Sequence, residues 1–110
     1  MPMTDRRTHV ERLARAADRL RAAVLDRGTA TTAELRRAVY GNGAVEPALA
    51  DFVSKVREHA NRVTDADIAV LRSQGMSADA IFEVTVTAAL GAAQRRLDAG
   101  LALVDTSLER

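Results

Sequence analysis

The sequence predicts an all-α fold, a small bundle of about five helices, and three observations carry that expectation. Apolar residues recur at three- and four-residue spacing along most of the chain, the period of a single helix face. Threonine, serine and proline stand where helices would begin, and glycine where they would end. Alanine supplies a large share of the 47% apolar content, and only Tyr40, Phe52 and Phe82 are aromatic, so helices form readily around a thin core.

The first helix is expected from Asp5 to about Asp26, with Thr4 as its cap and Val10, Leu13, Ala17, Leu20 and Val24 as one apolar stripe. Seven arginines and four carboxylates surround that stripe, which suits a solvated face with i,i+4 pairing and falls short of a polybasic patch. "RGTATTAEL" closes this helix at Arg27–Gly28 and opens a second, about Thr32 to Tyr40, with Thr31 and Glu34 in a capping-box arrangement. "YGNG" stops it. That turn lacks the lysine and hydroxyl residue of a phosphate-binding P-loop.

Glu46-Pro47 opens a third helix to about Ala60, because proline's missing N–H is not needed in a first turn. Leu49, Phe52, Val53, Val56 and Ala60 share its apolar face. Thr64 and Asp67 repeat the capping-box pattern ahead of a short fourth helix anchored by Ile68 and Leu71 and ended by Gly75. Ser77 caps the last and longest helix, expected to reach about Val104, with Met76 stapled near Ile81. Within it Glu83, Thr87, Gly91, Gln94 and Asp98 fall within roughly 80° of one another at about 100° per residue, a narrow polar strip; apart from Thr85, everything else from Ile81 to Ala93 is apolar. Such a helix is expected to be wrapped on most sides, as the centre of the bundle or as part of a subunit interface. The 110 residues read as a single helical domain, with residues 1–4 and 105–110 expected to fray.

Composition excludes several classes of function. Sixteen basic and fifteen acidic residues nearly cancel, which argues against nucleic acid or an anionic membrane as partner. Without cysteine there is no disulfide, thiolate nucleophile or thiolate-bound metal, and His9 and His59 lack ligand-like neighbours at i+4, so neither a metal nor a cofactor is expected. No apolar run approaches the roughly 20 residues that span a bilayer, and "MPMTDRRTHVER" lacks a signal-peptide core, so the expected location is cytoplasmic.

Leu71, Gly75, Ser77, Ile81, Ala89, Arg96 and Leu97, within "VTDADIAVLRSQGMSADAIFE...AALGAAQRRLDAG", resemble the C-terminal helices of the carboxymuconolactone decarboxylase and alkylhydroperoxidase-D-like (AhpD-like) superfamily. The similarity covers about Ala60 to Leu103. It implies an all-helical fold that assembles as trimers, hexamers or other oligomers, with active sites near subunit boundaries. The peroxidase-like branch uses a Cys-x-x-Cys pair, and here the corresponding helix reads "VEPALADFVSKVREHANRV" with no thiol. A thiol peroxidase cycle needs one thiolate to attack and a second thiol to resolve, so this chain is not expected to carry it.

The chain is therefore expected to be a non-redox, oligomeric AhpD-like protein with a binding or structural role. Two alternatives stand beside it: a cysteine-independent lyase or isomerase of the decarboxylase branch, and an accessory subunit of a larger enzyme. For the lyase, His59 is the candidate proton shuttle, Glu83 an auxiliary acid or base, Arg96 the holder of a small carboxylate ligand, and Phe52 part of the pocket. Each has a structural reading too. His59 suits the negative end of a helix, Glu83 belongs to a polar strip that meets water, and Arg96 pairs with an acidic residue. Self-association is the expected partnership, with a different protein as the other candidate.

Overall fold

The structure is a computed structural model that describes residues 3–108. Among those residues it contains no strand. Five helices follow one another: α1 (Met3–Arg27), α2 (Ala33–Tyr40), α3 (Pro47–His59), α4 (Asp65–Ser73) and α5 (Ala78–Leu108), with a 3-10 turn at Ala60–Arg62. The fold class expected from periodicity is the one observed.

The core lies where α2, α3 and α4 meet the first half of α5. Val39, Leu49, Phe52, Val53, Val56, Leu71, Ile81, Val84 and Ala88 form it, and Leu35, Ile68 and Met76 close around its edge. Each large side chain taken fully out of water contributes about 1.5–3 kcal/mol, so this short list holds most of the hydrophobic stabilisation. α5 touches all four other helices. One of its glycines sets the closest approach: a Cβ on Gly91 would overlap the Tyr40 carbonyl oxygen and stand 3.1 Å from that residue's Cα and carbonyl carbon. The end of α2 can therefore lie directly on α5 only because residue 91 has no side chain.

α1 is different. None of its described side chains is fully buried. Its stripe divides: Val10, Ala17 and Val24 are half-buried, whereas Leu13 and Leu20 are more than half exposed. At 1.5 Å per residue α1 and α5 are about 37 and 46 Å long, and together they extend past the core as an arm. The molecule measures 55 × 26 × 22 Å. Its radius of gyration, 16.7 Å, exceeds the roughly 13 Å of a compact domain of this length.

Several boundaries shift from the sequence reading for local reasons. Thr4 lies inside α1, which already starts at Met3, so it is not the cap. The α2 cap is Thr32, whose Oγ1 accepts the Leu35 N–H at 3.1 Å, because the Thr31 hydroxyl is engaged by Glu83. Thr64 and Asp67 form the expected capping box, and Gly75, at φ +92°, follows the end of α4 in a conformation that suits glycine. Ser77 accepts the Ala80 N–H at 3.1 Å, as its capping place predicts. α5 continues to Leu108, past the expected end at about Val104, so residues 105–108 are helical; residues 1, 2, 109 and 110 lie outside the described ones.

Candidate functional site

Two polar constellations stand out, one on each side of α5. The first is built on Glu83. Its Oε2 accepts the Thr29 and Ala30 N–H groups at 3.1 and 2.7 Å, and its Oε1 accepts the Thr31 N–H at 3.1 Å and the Thr31 hydroxyl at 2.7 Å. Three consecutive backbone donors and one hydroxyl thus enclose a single carboxylate. Burial raises the proton affinity of this group, but the hydrogen bonds from Ala30, Thr31 and Thr29 outweigh it and hold the carboxyl below its ordinary range.

Arg36 completes this arrangement. It is 4% exposed, and its Nη1 lies 3.8 Å from Glu83 Oε1. The same guanidinium donates to the Leu25 carbonyl at 2.9 Å, to the Thr31 carbonyl, and to Thr31 Oγ1 at 3.1 Å. A buried cation with a nearby carboxylate and two carbonyls is adequately compensated. The pair ties the end of α1, the connecting loop, α2 and α5 into one unit.

The second constellation is a cleft of about 440 Å³ between α3 and α5, beside the α2–α3 loop. Asn42 holds the left-handed conformation there, at φ 64°, just after α2. Arg57 donates to the Asn42 side-chain oxygen and to the Val39 carbonyl. Arg95 donates to the Tyr40 carbonyl at 2.7 Å, and Arg96 to the Arg57 carbonyl at 2.6 Å. Each guanidinium thereby sits on a carbonyl near the negative end of a helix, where a cation is stabilised. Burial, then the neighbouring charge of Arg95, lowers the proton affinity of Arg57, and Glu58 partly restores it.

The four residues nominated from sequence are not brought together. Phe52 is a core residue, 4% exposed, and lines neither cleft. His59 is exposed at the end of α3 and lies outside both clefts. Glu83 is on the α1 side of α5 and Arg96 lines the arginine cleft on the other. The polar strip on α5 turns inward at its middle, where water was expected: Thr87 and Gly91 are buried, Glu83 and Gln94 are partly exposed and Asp98 is exposed, with Gln94 and Asp98 joined at 2.9 Å. Its polar atoms are satisfied locally, since the Thr87 hydroxyl donates back to the Glu83 carbonyl at 2.6 Å. The carboxylate partner expected for Arg96 is replaced by a backbone carbonyl.

Sequence reasoning missed Arg36 and Arg57. Arg36 carries no local signal, because its partners are Leu25, Thr31 and Glu83, up to 47 positions away along the chain. Among the described residues no group of three His, Cys, Asp or Glu side chains is placed to hold a metal. Nor is any described helix long and apolar enough to cross a membrane. Comparison with protein-family models, with curated proteins and with solved structures found no match of any of the three kinds.

Proposed function

We propose that this chain is a cysteine-free, non-redox protein of the AhpD-like kind that works by self-association and binding. The observation that carries the reading is the bare apolar line on the α1–α5 arm. Phe82 is 68% exposed and Leu103 71%, and Leu13, Leu20, Val86 and Val104 are exposed with them. Small residues Ala89 and Ala93 lie exposed between Val86 and the far end of α5, at the spacing that lets a second helix approach closely.

A second copy is the occupant that suits this face. Two α1–α5 hairpins brought together make a four-helix arrangement, a layer architecture in which each helix stripe finds a partner. Leu13, Leu20, Phe82, Val86 and Leu103 from both copies would contribute about 10 kcal/mol after allowing for the half already covered. Association costs about 4–15 kcal/mol, so assembly depends on concentration and on every one of these side chains. The resemblance in the last two helices supports the same reading, since that superfamily assembles as oligomers.

The test is sedimentation equilibrium of the wild-type chain and of Phe82→Glu from low micromolar to several hundred micromolar concentration, a range that spans the tens of micromolar at which about 6 kcal/mol of net association energy takes effect. Phe82 supports no core contact, so the variant should keep its helical circular dichroism while its mass falls toward the 11.8 kDa of one chain. An identical mass distribution for the two proteins would remove Phe82 and its line from the interface.

A further inference from the structure

The arginine cleft is not used by the assembly reading, and its chemistry points elsewhere. Arg57, Arg95 and Arg96 all line it, with Glu58 as the one acidic residue among its walls. That leaves a surplus of two positive charges. Among the described residues the ion pairs are Arg36–Glu83 and Lys55–Asp67, so none of the three guanidiniums is neutralised by a carboxylate.

All three are held in place by main-chain carbonyls around the same cleft. Arg57 and Arg95 donate to the carbonyls of the consecutive residues Val39 and Tyr40, and Arg96 donates to the main-chain carbonyl of Arg57 at the end of α3. A guanidinium has five N–H donors, and these carbonyl bonds use only one or two on each. The Arg57 Nε is buried without a hydrogen-bond partner. Donors fixed in place by folding need little further ordering when a ligand arrives. The accessible apolar wall is formed by Ala44, Val45 and Ala50, backed by the buried Val39 and Val53. The volume lies within the range of small-molecule sites, about 300–1,000 Å³.

We propose that this cleft binds a small organic phosphate, its doubly charged phosphoryl head on Arg57, Arg95 and Arg96 and its apolar body against Ala44, Val45 and Ala50. Two features select this class. A phosphomonoester carries about −1.5 to −2 charges near neutral pH, which matches the surplus, and its oxygens suit the bidentate fork of arginine. One head concentrates its charge within a cleft that three guanidiniums line, whereas two separated carboxylates would leave one end away from them. The lowered proton affinity of Arg57 agrees with cations crowded and desolvated in the absence of an anion.

Isothermal titration of the full chain with phenyl phosphate, inorganic phosphate, benzoate and phthalate tests the proposal. Phenyl phosphate should bind saturably at one per chain, at least tenfold more tightly than benzoate, which has one charge, and more tightly than inorganic phosphate, which has no body. Arg96→Gln should weaken it about tenfold or more, and Arg96→Lys less. Both positions 95 and 96 are exposed, so these variants should fold, and circular dichroism checks that they do. No saturable binding of phenyl phosphate by the wild-type chain at millimolar concentration would overturn the proposal. Equal binding by an Arg95→Gln, Arg96→Gln double variant would do so too. Tighter binding of phthalate would overturn the assignment to a single phosphoryl head, and equal binding of inorganic phosphate would overturn the role of the apolar wall.

Discussion

Replacing Glu83 by glutamine removes one charge and turns one oxygen into a donor, at a site built mainly of donors. With its nitrogen toward Thr29 and Ala30 the amide confronts two N–H groups; turned toward Thr31 it confronts that residue's N–H, and only the Thr31 hydroxyl, by rotating, can accept from it. Leaving a buried donor without an acceptor costs about 1–3 kcal/mol. The Glu83 side chain is 18% exposed, and Thr29 and Ala30 can recover water, so a total of about 2–3 kcal/mol is the reasonable figure. In a domain of this size that lowers the melting temperature by about 10–20 °C. Thermal circular dichroism at neutral pH measures it, at matched chain concentration, because assembly raises the apparent stability of both proteins.

The same substitution has a pH signature. The folded carboxyl ionises below its ordinary value of 4.5, so the unfolded chain takes up its proton first as acid is added. The stability from ionised Glu83 is therefore fully present above about pH 4.5 and is lost as pH falls through the lower folded value. Wild type should lose stability on acidification in that window, and Glu83→Gln should lose less. A variant that melts within about 2 °C of wild type, with the same acid slope, would refute the claim that Glu83 holds the α1–α2 loop to α5.

Two other substitutions test the packing. Gly91→Ala puts a methyl group on the Tyr40 carbonyl and should cost about 1–3 kcal/mol by forcing α2 away from α5; an unchanged denaturant midpoint would mean the helices are not so close. Leu71→Ala empties a site with no exposure and should cost about 2–5 kcal/mol in urea unfolding, whereas a loss under about 1 kcal/mol would place Leu71 outside the core.

Local chemistry was legible in the sequence, and tertiary chemistry was not. The Thr64–Asp67 box, the Ser77 cap and the Leu49, Phe52, Val53 and Val56 face of α3 follow from spacing alone, because each depends on residues within one or two turns, whereas Ala60, expected on that face, is exposed in the 3-10 turn beyond the helix. The α2 cap slipped by one residue because Thr31 answers to a glutamate 52 positions away. The polar strip of α5 misled for a related reason. Glutamate, threonine and glycine in a row resemble a wet face, yet here the carboxylate receives a loop, the hydroxyl bonds back to its own helix, and the glycine admits a carbonyl. Two of the five α1 stripe residues, Leu13 and Leu20, also point away from the chain's own core, and periodicity cannot distinguish a side chain that meets its own bundle from one that meets a neighbour. The arginine cleft gathers residues from α3 and α5 around the end of α2, and of these only Arg96 was nominated.

Whether the exposed apolar side chains of α1 and α5 are covered in solution decides between a monomer and an assembly. Static light scattering of the wild-type chain from low micromolar to roughly millimolar concentration addresses it directly, because a net gain of about 6 kcal/mol places half-assembly at tens of micromolar. The prediction is a mass that rises above 11.8 kDa with concentration and reaches at least twice that value at the upper end. A stable, fully helical particle of 11.8 kDa across the same concentrations would contradict it.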